Sequence, residues 1–171
     1  MADDNGLYAD IEAGFVTAIK AIKLVSGGDN DTVFNASGVD HQKWQIKSLR
    51  DFRTYYPFAY VRCAGTPAVG REGGDLLQRI TVEIEYGTYI ASGNARIGTG
   101  TDAGEKQLGL SRLRDLLITA LDRVLITTTK ANTEAPVYKG DKILVDCSES
   151  GKNPNYCCSG LMTFEIDQIG V

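Results

Sequence analysis

Histidine, tryptophan and proline are scarce in this sequence, with one His, one Trp and four Pro in 171 residues. A single imidazole, His41, rules out the multi-histidine sets of most zinc sites. Any Ser-His-Asp arrangement would have to use it, yet it sits in the polar run Val39-Asp-His-Gln-Lys43 and no G-x-S-x-G elbow accompanies it. A solvent-exposed side chain is expected there. Positive charge is short too: 18 Lys and Arg against 22 Asp and Glu leave a net charge of −4. That balance argues against a nucleic-acid binder, which must displace phosphate counterions with clustered Lys and Arg. No apolar run approaches the roughly 18 residues that span a bilayer. The start, Met1-Ala-Asp-Asp-Asn-Gly6, is acidic where a secretory signal is basic and then apolar, so synthesis in the cytoplasm is expected. The tripeptides beginning at Asn30 and Asn35 are then chance matches to a glycosylation acceptor.

Four cysteines are present, Cys63, Cys147, Cys157 and Cys158, without the Cys-x-x-Cys spacing of a zinc site. Adjacent Cys157 and Cys158 on a strand point to opposite faces and do not chelate one ion together. Reduced thiols acting as small apolar residues are expected, with a bridge from Cys147 to Cys157 or Cys158 as the alternative.

What is present is an ordinary globular composition, 43% hydrophobic and 23% charged, enough for one domain spanning 1–171. Ile11, Phe15, Ala18, Ile19 and Ile22 recur at helical spacing, predicting a helix from Leu7 to Val25 capped by Asp4 or Asn5. A connection of uncertain structure follows at about 26–56, including Thr32 to Phe34 and Trp44. Phe58 to Cys63 begins after Pro57 and reads as a strand. From Leu77 to Ile90 the alternation is clearest: Ile80, Val82, Ile84 and Tyr86 on one face, Arg79, Thr81, Glu83 and Glu85 on the other. Two long glycine-rich loops, Gly65 to Asp75 and Ser92 to Gly109, flank this strand. Leu110, Leu113, Leu117, Ala120, Leu121 and Val124 form one helical stripe. Ile143 to Cys147 and Cys158 to Ile169 complete the set as strands. The expected class is α+β: a mostly antiparallel sheet, two amphipathic helices on one face, and the face bearing Glu83, Glu85, Glu165 and Asp167 left accessible.

Motifs with chemical meaning are weak. The string Gly98-Thr-Gly-Thr-Asp-Ala-Gly104 precedes a helix, but the strand before it is amphipathic and does not run straight into it, so no dinucleotide cradle is expected. Gly151-Lys152-Asn153 lacks the upstream glycine of a phosphate loop, since Asp146 stands there. Glu83 and Glu85 stand about 7 Å apart on one face, a separation that acid/base pairs use, yet outward carboxylates are usually just solvated. The expectation is therefore no catalytic residue, no cofactor and no metal. A small hydrolase built on Glu83, Glu85 or His41, or a ligand-binding module using the apolar sheet face, are the alternatives of another class.

Long loops on a compact sheet cost ordering entropy and are usually kept to touch something. In its order of elements the chain resembles the tail terminator proteins of tailed bacteriophages, of the Mu-like prophage and lambda types. The resemblance is carried by the helix Ile11 to Ile22, Pro57-Phe-Ala-Tyr-Val-Arg-Cys63, Gln78-Arg-Ile-Thr-Val-Glu-Ile-Glu-Tyr86, the helix Leu113 to Leu125, Ile143-Leu-Val-Asp-Cys147 and Leu161-Met-Thr-Phe-Glu-Ile166. It departs from that pattern in the insertion between Val25 and Pro57. The resemblance implies a homohexameric ring on the head-proximal end of a tail tube, made in the host cytoplasm and found in the virion. Such a ring stops tube polymerisation and docks the neck or head-completion protein; its partners are itself, the tube protein and a sheath protein where one exists. DNA passes through the lumen without specific binding, which a carboxylate lining would favour. Arg71 and Glu72 in the first loop, and Arg96, Asp102, Glu105 and Lys106 in the second, are the expected subunit or tube contacts. Another neck, head-completion or minor tail protein shares the same pattern.

Overall fold

The alternation along residues 78–88 builds the centre of the molecule. The computed structural model describes residues 6–23, 32–34, 38–41, 57–65, 70–72, 75–89, 108–129, 132–145 and 157–169. Its elements run α1 (Leu7–Lys20), β1 (Val39–His41), β2 (Phe58–Gly65), β3 (Gly70–Glu72), β4 (Asp75–Tyr89), α2 (Leu110–Leu121), β5 (Val137–Val145) and β6 (Cys157–Ile169). The strands form one sheet in the order β1-β2-β4-β6-β5, with β3 paired to β4. Among the described strands, β1 pairs with β2 in parallel and the other pairings are antiparallel. The class is α+β, as the alternating strands imply.

Register decides which face is dry. β4 pairs with β6 from Leu77↔Ile169 to Tyr89↔Cys157, which sets Ile80, Val82 and Ile84 beside Ile166, Phe164 and Met162, all buried. Helix α1 lays Ile11, Phe15 and Ile19 on this face, and α2 adds Leu110, Leu113, Leu117 and Leu121. These are the helical spacings that make one apolar stripe. Phe15 meets Phe164 with ring centroids 6.0 Å apart. Each such side chain contributes about 1.5–3 kcal/mol on burial, so this layer dominates the stability.

Both helices stop short of their predicted ends, for one reason: tertiary bonds outbid helical ones. α1 ends at Lys20 rather than Val25, because the Ile22 carbonyl accepts Val33 N–H at 2.9 Å and Lys23 bridges Thr32. Its N-cap is Gly6 with no side-chain cap bond; Asp4 and Asn5 lie outside the described residues, as do Trp44 and Cys147. α2 ends at Leu121, and Val124 is 45% exposed instead of completing the stripe. There Asp122 (φ −67°, ψ 121°) and Arg123 (φ 56°) form the centre of a type II turn, closed by Val124 N–H to the Leu121 carbonyl at 3.3 Å. The turn is pinned to the next strand: Arg123 N–H donates to the Pro136 carbonyl at 2.7 Å, and the Asp122 carboxylate accepts Tyr138 N–H at 2.8 Å. Strand β5 accordingly begins at Val137, well before the predicted Ile143. The loop read from Gly65 to Asp75 contains β3, and the long connection contains β1. Cys158 is a buried free thiol, as expected of a small apolar residue.

After the turn, residues 124–129 cross the helical layer. Ile126 is buried against Gly14, where a Cβ would stand 2.7 Å from the isoleucine and 2.8 Å from the Thr127 carbonyl oxygen. Only glycine lets the segment come this close. Buried Asp10 then ties it down, accepting from Thr129 N–H at 3.0 Å and from Thr129 Oγ1 at 2.5 Å. Hydrogen bonds to a charged group contribute about 1.5–3 kcal/mol. We therefore expect Asp10→Ala to lower stability by about 2 kcal/mol, read as a shifted denaturation midpoint at unchanged slope. Thr129→Val should cost less, because the backbone N–H keeps its acceptor. An unshifted midpoint in Asp10→Ala would refute the anchoring role.

Candidate assembly surface

The sheet face away from the helices carries a ladder of charge. The register brings Arg62 of β2 opposite Glu83, Arg79 opposite Asp167, and Thr81 opposite Glu165. The pairs are made: Arg62 Nε donates to Glu83 at 2.6 Å, Arg79 forms a two-pronged contact with Asp167 at 2.8 Å on each oxygen, and Lys139 Nζ lies 2.8 Å from Glu165. Glu83, Glu165 and Asp167 keep only 20%, 28% and 21% side-chain exposure. The expected accessible carboxylates are thus mostly shielded by cross-strand cations, as opposite charges across a ladder prefer. Arg79 holds the Asp167 carboxyl below its ordinary range, chiefly through the hydrogen bonds. Glu85 goes the other way: burial raises it, with Arg62 opposing. One end of the face is dry, where Phe58 stacks on Tyr60 with centroids 5.0 Å apart. A Cβ on Gly87 would stand 2.5 Å from the Phe58 ring, so glycine there lets the ring lie on the sheet.

The β5 edge is the second feature. The Asp122 carboxylate takes the Tyr138 N–H near its start, while Val137, Lys139, Asp141, Lys142, Ile143 and Leu144 are all exposed, the last two at 44% and 45%. The register shifts between Tyr138 and Gly140 and again between Ile143 and Val145, irregularities that commonly blunt an edge. Behind the edge, on the helix side, lies a groove of about 210 Å³ lined by Tyr86, Leu110, Ser111, Arg114, Asp141 and Ile143. Its rim is a closed network: Arg114 Nε donates to Asp141 at 2.9 Å and Nη2 to the Tyr138 hydroxyl at 3.0 Å, and that hydroxyl donates to Asp141. Burial, then Asp141, raises the Tyr86 phenol.

The richest chemical cluster is elsewhere. Glu12 of α1 accepts Cys63 N–H at 2.7 Å and meets His41 Nδ1 at 2.7 Å, so one carboxylate joins α1, β1 and β2. His41 is 45% exposed, wet as expected but paired, which the sequence did not suggest. Cys63 Sγ lies 3.7 Å from the Tyr8 carbonyl, and its pKa is pushed up to about 12 by burial and then by Glu12. A thiol so protonated is a poor nucleophile. The cluster acts as a clasp. No group of three His, Cys, Asp or Glu suited to a metal ion occurs among the described residues, and none of the described helices is long and apolar enough to cross a membrane.

The predicted contacts fall as follows. Arg71 and Glu72 are not in a loop but in β3, opposite Leu76 and Asp75; the glycines around them read as loop because the strand is only three residues long. Arg96, Asp102, Glu105 and Lys106 lie outside the described residues, as do the glycine string at 98–104 and Gly151-Lys152-Asn153. The β5 edge and its groove were missed. The signal was there in Ile143-Leu144, two adjacent apolar residues that one wet face cannot both hide.

No family model matches the chain, and no curated protein sequence does. Its fold is similar to that of a chain in the virion of a native gene transfer agent particle, with a TM-score of 0.52 and 9% identity, covering 94% of this chain and 95% of that one. At this identity the likeness is one of fold, and it spans nearly the whole of both chains.

Two outcomes follow from the charged and buried groups. In Arg79→Gln, the Asp167 carboxyl should titrate closer to the ordinary aspartate value of about 3.9, followed by NMR. Because its folded pKa is depressed, the stability it lends is present above that ordinary value and fades as pH falls through the folded one. An unmoved Asp167 titration would contradict the pairing. Cys63, held protonated by burial and by Glu12, should resist iodoacetamide far longer than a free peptide thiol. Glu12→Ala should speed its labelling by loosening the clasp, mapped by peptide mass spectrometry; equal rates would remove Glu12 from that role.

Proposed function

We propose that the protein is a structural subunit of a phage-type virion and, within it, the tail terminator. On this reading it forms a ring on the head-proximal end of the tail tube, stops further polymerisation and presents a docking surface to the neck. The observation that carries the coarser reading is the fold likeness to a chain of a gene transfer agent virion, which extends over 94% of this chain and 95% of that one. The finer role draws on the order of elements: a helix, long strand, second helix and closing strand pair, as in tail terminators.

The surface chemistry fits a part that works by shape. The outer-face carboxylates Glu83, Glu165 and Asp167 are held by cations, and the Cys63 thiol is protonated. Its work on this reading is blocking and docking, with no bond made or broken. A contact repeated with closing rotation gives a ring, whereas the same contact without closure gives a filament. A ring subunit therefore carries two different patches that fit each other.

The test is a tube-length assay. Purified protein added to polymerising tail-tube protein should cap tubes at one end and shorten their length distribution, with rings visible by electron microscopy. Binding at a neck or head-completion protein with no effect on tube length would assign it to the neck instead. A protein that touches neither would sink the virion reading.

A further inference from the structure

Two surface features present exposed apolar side chains beside a charged group, and they complement each other. The first is the turn after α2. Leu125 is 70% exposed and Val124 45%, the former the most exposed large apolar side chain among the described residues. They project from a rigid base, since Ile126 is buried in the space left by Gly14 and Thr129 is bonded to Asp10. Arg123 beside them is exposed and makes no side-chain hydrogen bond or ion pair among the described residues. It also holds φ 56° at the turn position that glycine fills without strain. Such an outlier, kept where glycine would relieve it, points toward a use for the side chain.

The second feature is the uncovered half of β5 with the groove behind it. Ile143 is exposed at the mouth, Leu110 and Tyr86 line the wall, and the Asp141 carboxylate forms the rim. At about 210 Å³ the groove exceeds the roughly 150 Å³ that admits a benzene-sized guest. Asp141 already accepts from Arg114 and Tyr138, and a carboxylate has about four acceptor sites, so it has capacity for another guanidinium. The turn offers a cation flanking two aliphatic side chains; the groove offers an anion flanking an apolar wall.

We propose that the turn Arg123–Leu125 of one copy docks into the β5 groove of a second copy, with Leu125 against Ile143 and Leu110 and Arg123 on Asp141. Turn and groove are distinct patches of one chain, so the contact is heterologous, the kind that propagates around a ring. This rests on the reading of the protein as a self-assembling ring subunit.

The experiment uses full-length protein and native mass spectrometry at rising concentration. Wild type should assemble, and Leu125→Asp and Ile143→Asp should each be monomeric, with unchanged circular dichroism because both sites are at the surface. Mixed one to one, the two variants should give a heterodimer and nothing larger. The Ile143→Asp copy brings an intact turn and the Leu125→Asp copy an intact groove, so one contact forms and neither end grows. Arg123→Gly should raise the thermal midpoint by about 2–4 °C, by removing backbone strain. The same change should weaken self-association roughly ten-fold or more, by removing the charge pair. Wild-type rings that persist in both Asp variants overturn this contact and leave the terminator reading standing. Monomeric variants that do not form the heterodimer overturn turn-in-groove docking as well. A wild type that is monomeric throughout removes the second copy as the occupant, whereas capping of tubes is scored separately.

Discussion

Everything else hangs on the register between β4 and β6. With side-chain period two, a slip of one residue would move Ile80, Val82 and Ile84 to the wet face and Thr81 and Glu83 under the helices. The register is held from both faces. On one, interlocked apolar side chains pack under α1 and α2; on the other, Arg79–Asp167 pairs only in this alignment, as Arg62–Glu83 does for β4 against β2. Surface pairs contribute little to stability, but a slipped ladder would oppose Glu83 to Phe164 or Met162 and lose the Arg79–Asp167 pair. The hydrophobic face supplies the energy, and the charged face makes the alternatives worse.

The sheet and the central packing were legible because they obey periodicity. β4 and β6, and the buried stripes of both helices, follow from spacing, and β2 from its strand-forming residues after Pro57. The ends were not legible. Each helix ends where a backbone group finds a partner distant in sequence, Ile22 with Val33 and Arg123 with Pro136, and the segment after α2 is likewise fixed by Thr129 on Asp10. No local pattern encodes those encounters. β5 was read short for the same reason, since Tyr138 and Lys139 are polar enough to pass for loop until Phe164 and Glu165 are placed beside them.

The candidate surface was less legible than the fold. Sequence reading placed function in glycine-rich loops because glycine marks where regular structure stops. The structure draws attention to an edge strand instead, where the signal is exposure of apolar side chains rather than absence of them. Glu12 illustrates the same limit: as one acidic residue on a helix it carried no message, yet it joins His41 and Cys63 across three elements.

Charge on the outer face bears on how a ring would treat DNA. On that face Glu83, Glu165 and Asp167 are paired with Arg62, Lys139 and Arg79, so their charge is offset locally. Carboxylates paired in this way add little to the negative field that would repel a passing duplex. Cross-strand neutralisation suits a packing surface, where an unpaired charge would be costly to bury. Because these cross-strand pairs are already made within the subunit, this face can lie against protein without stranding a charge.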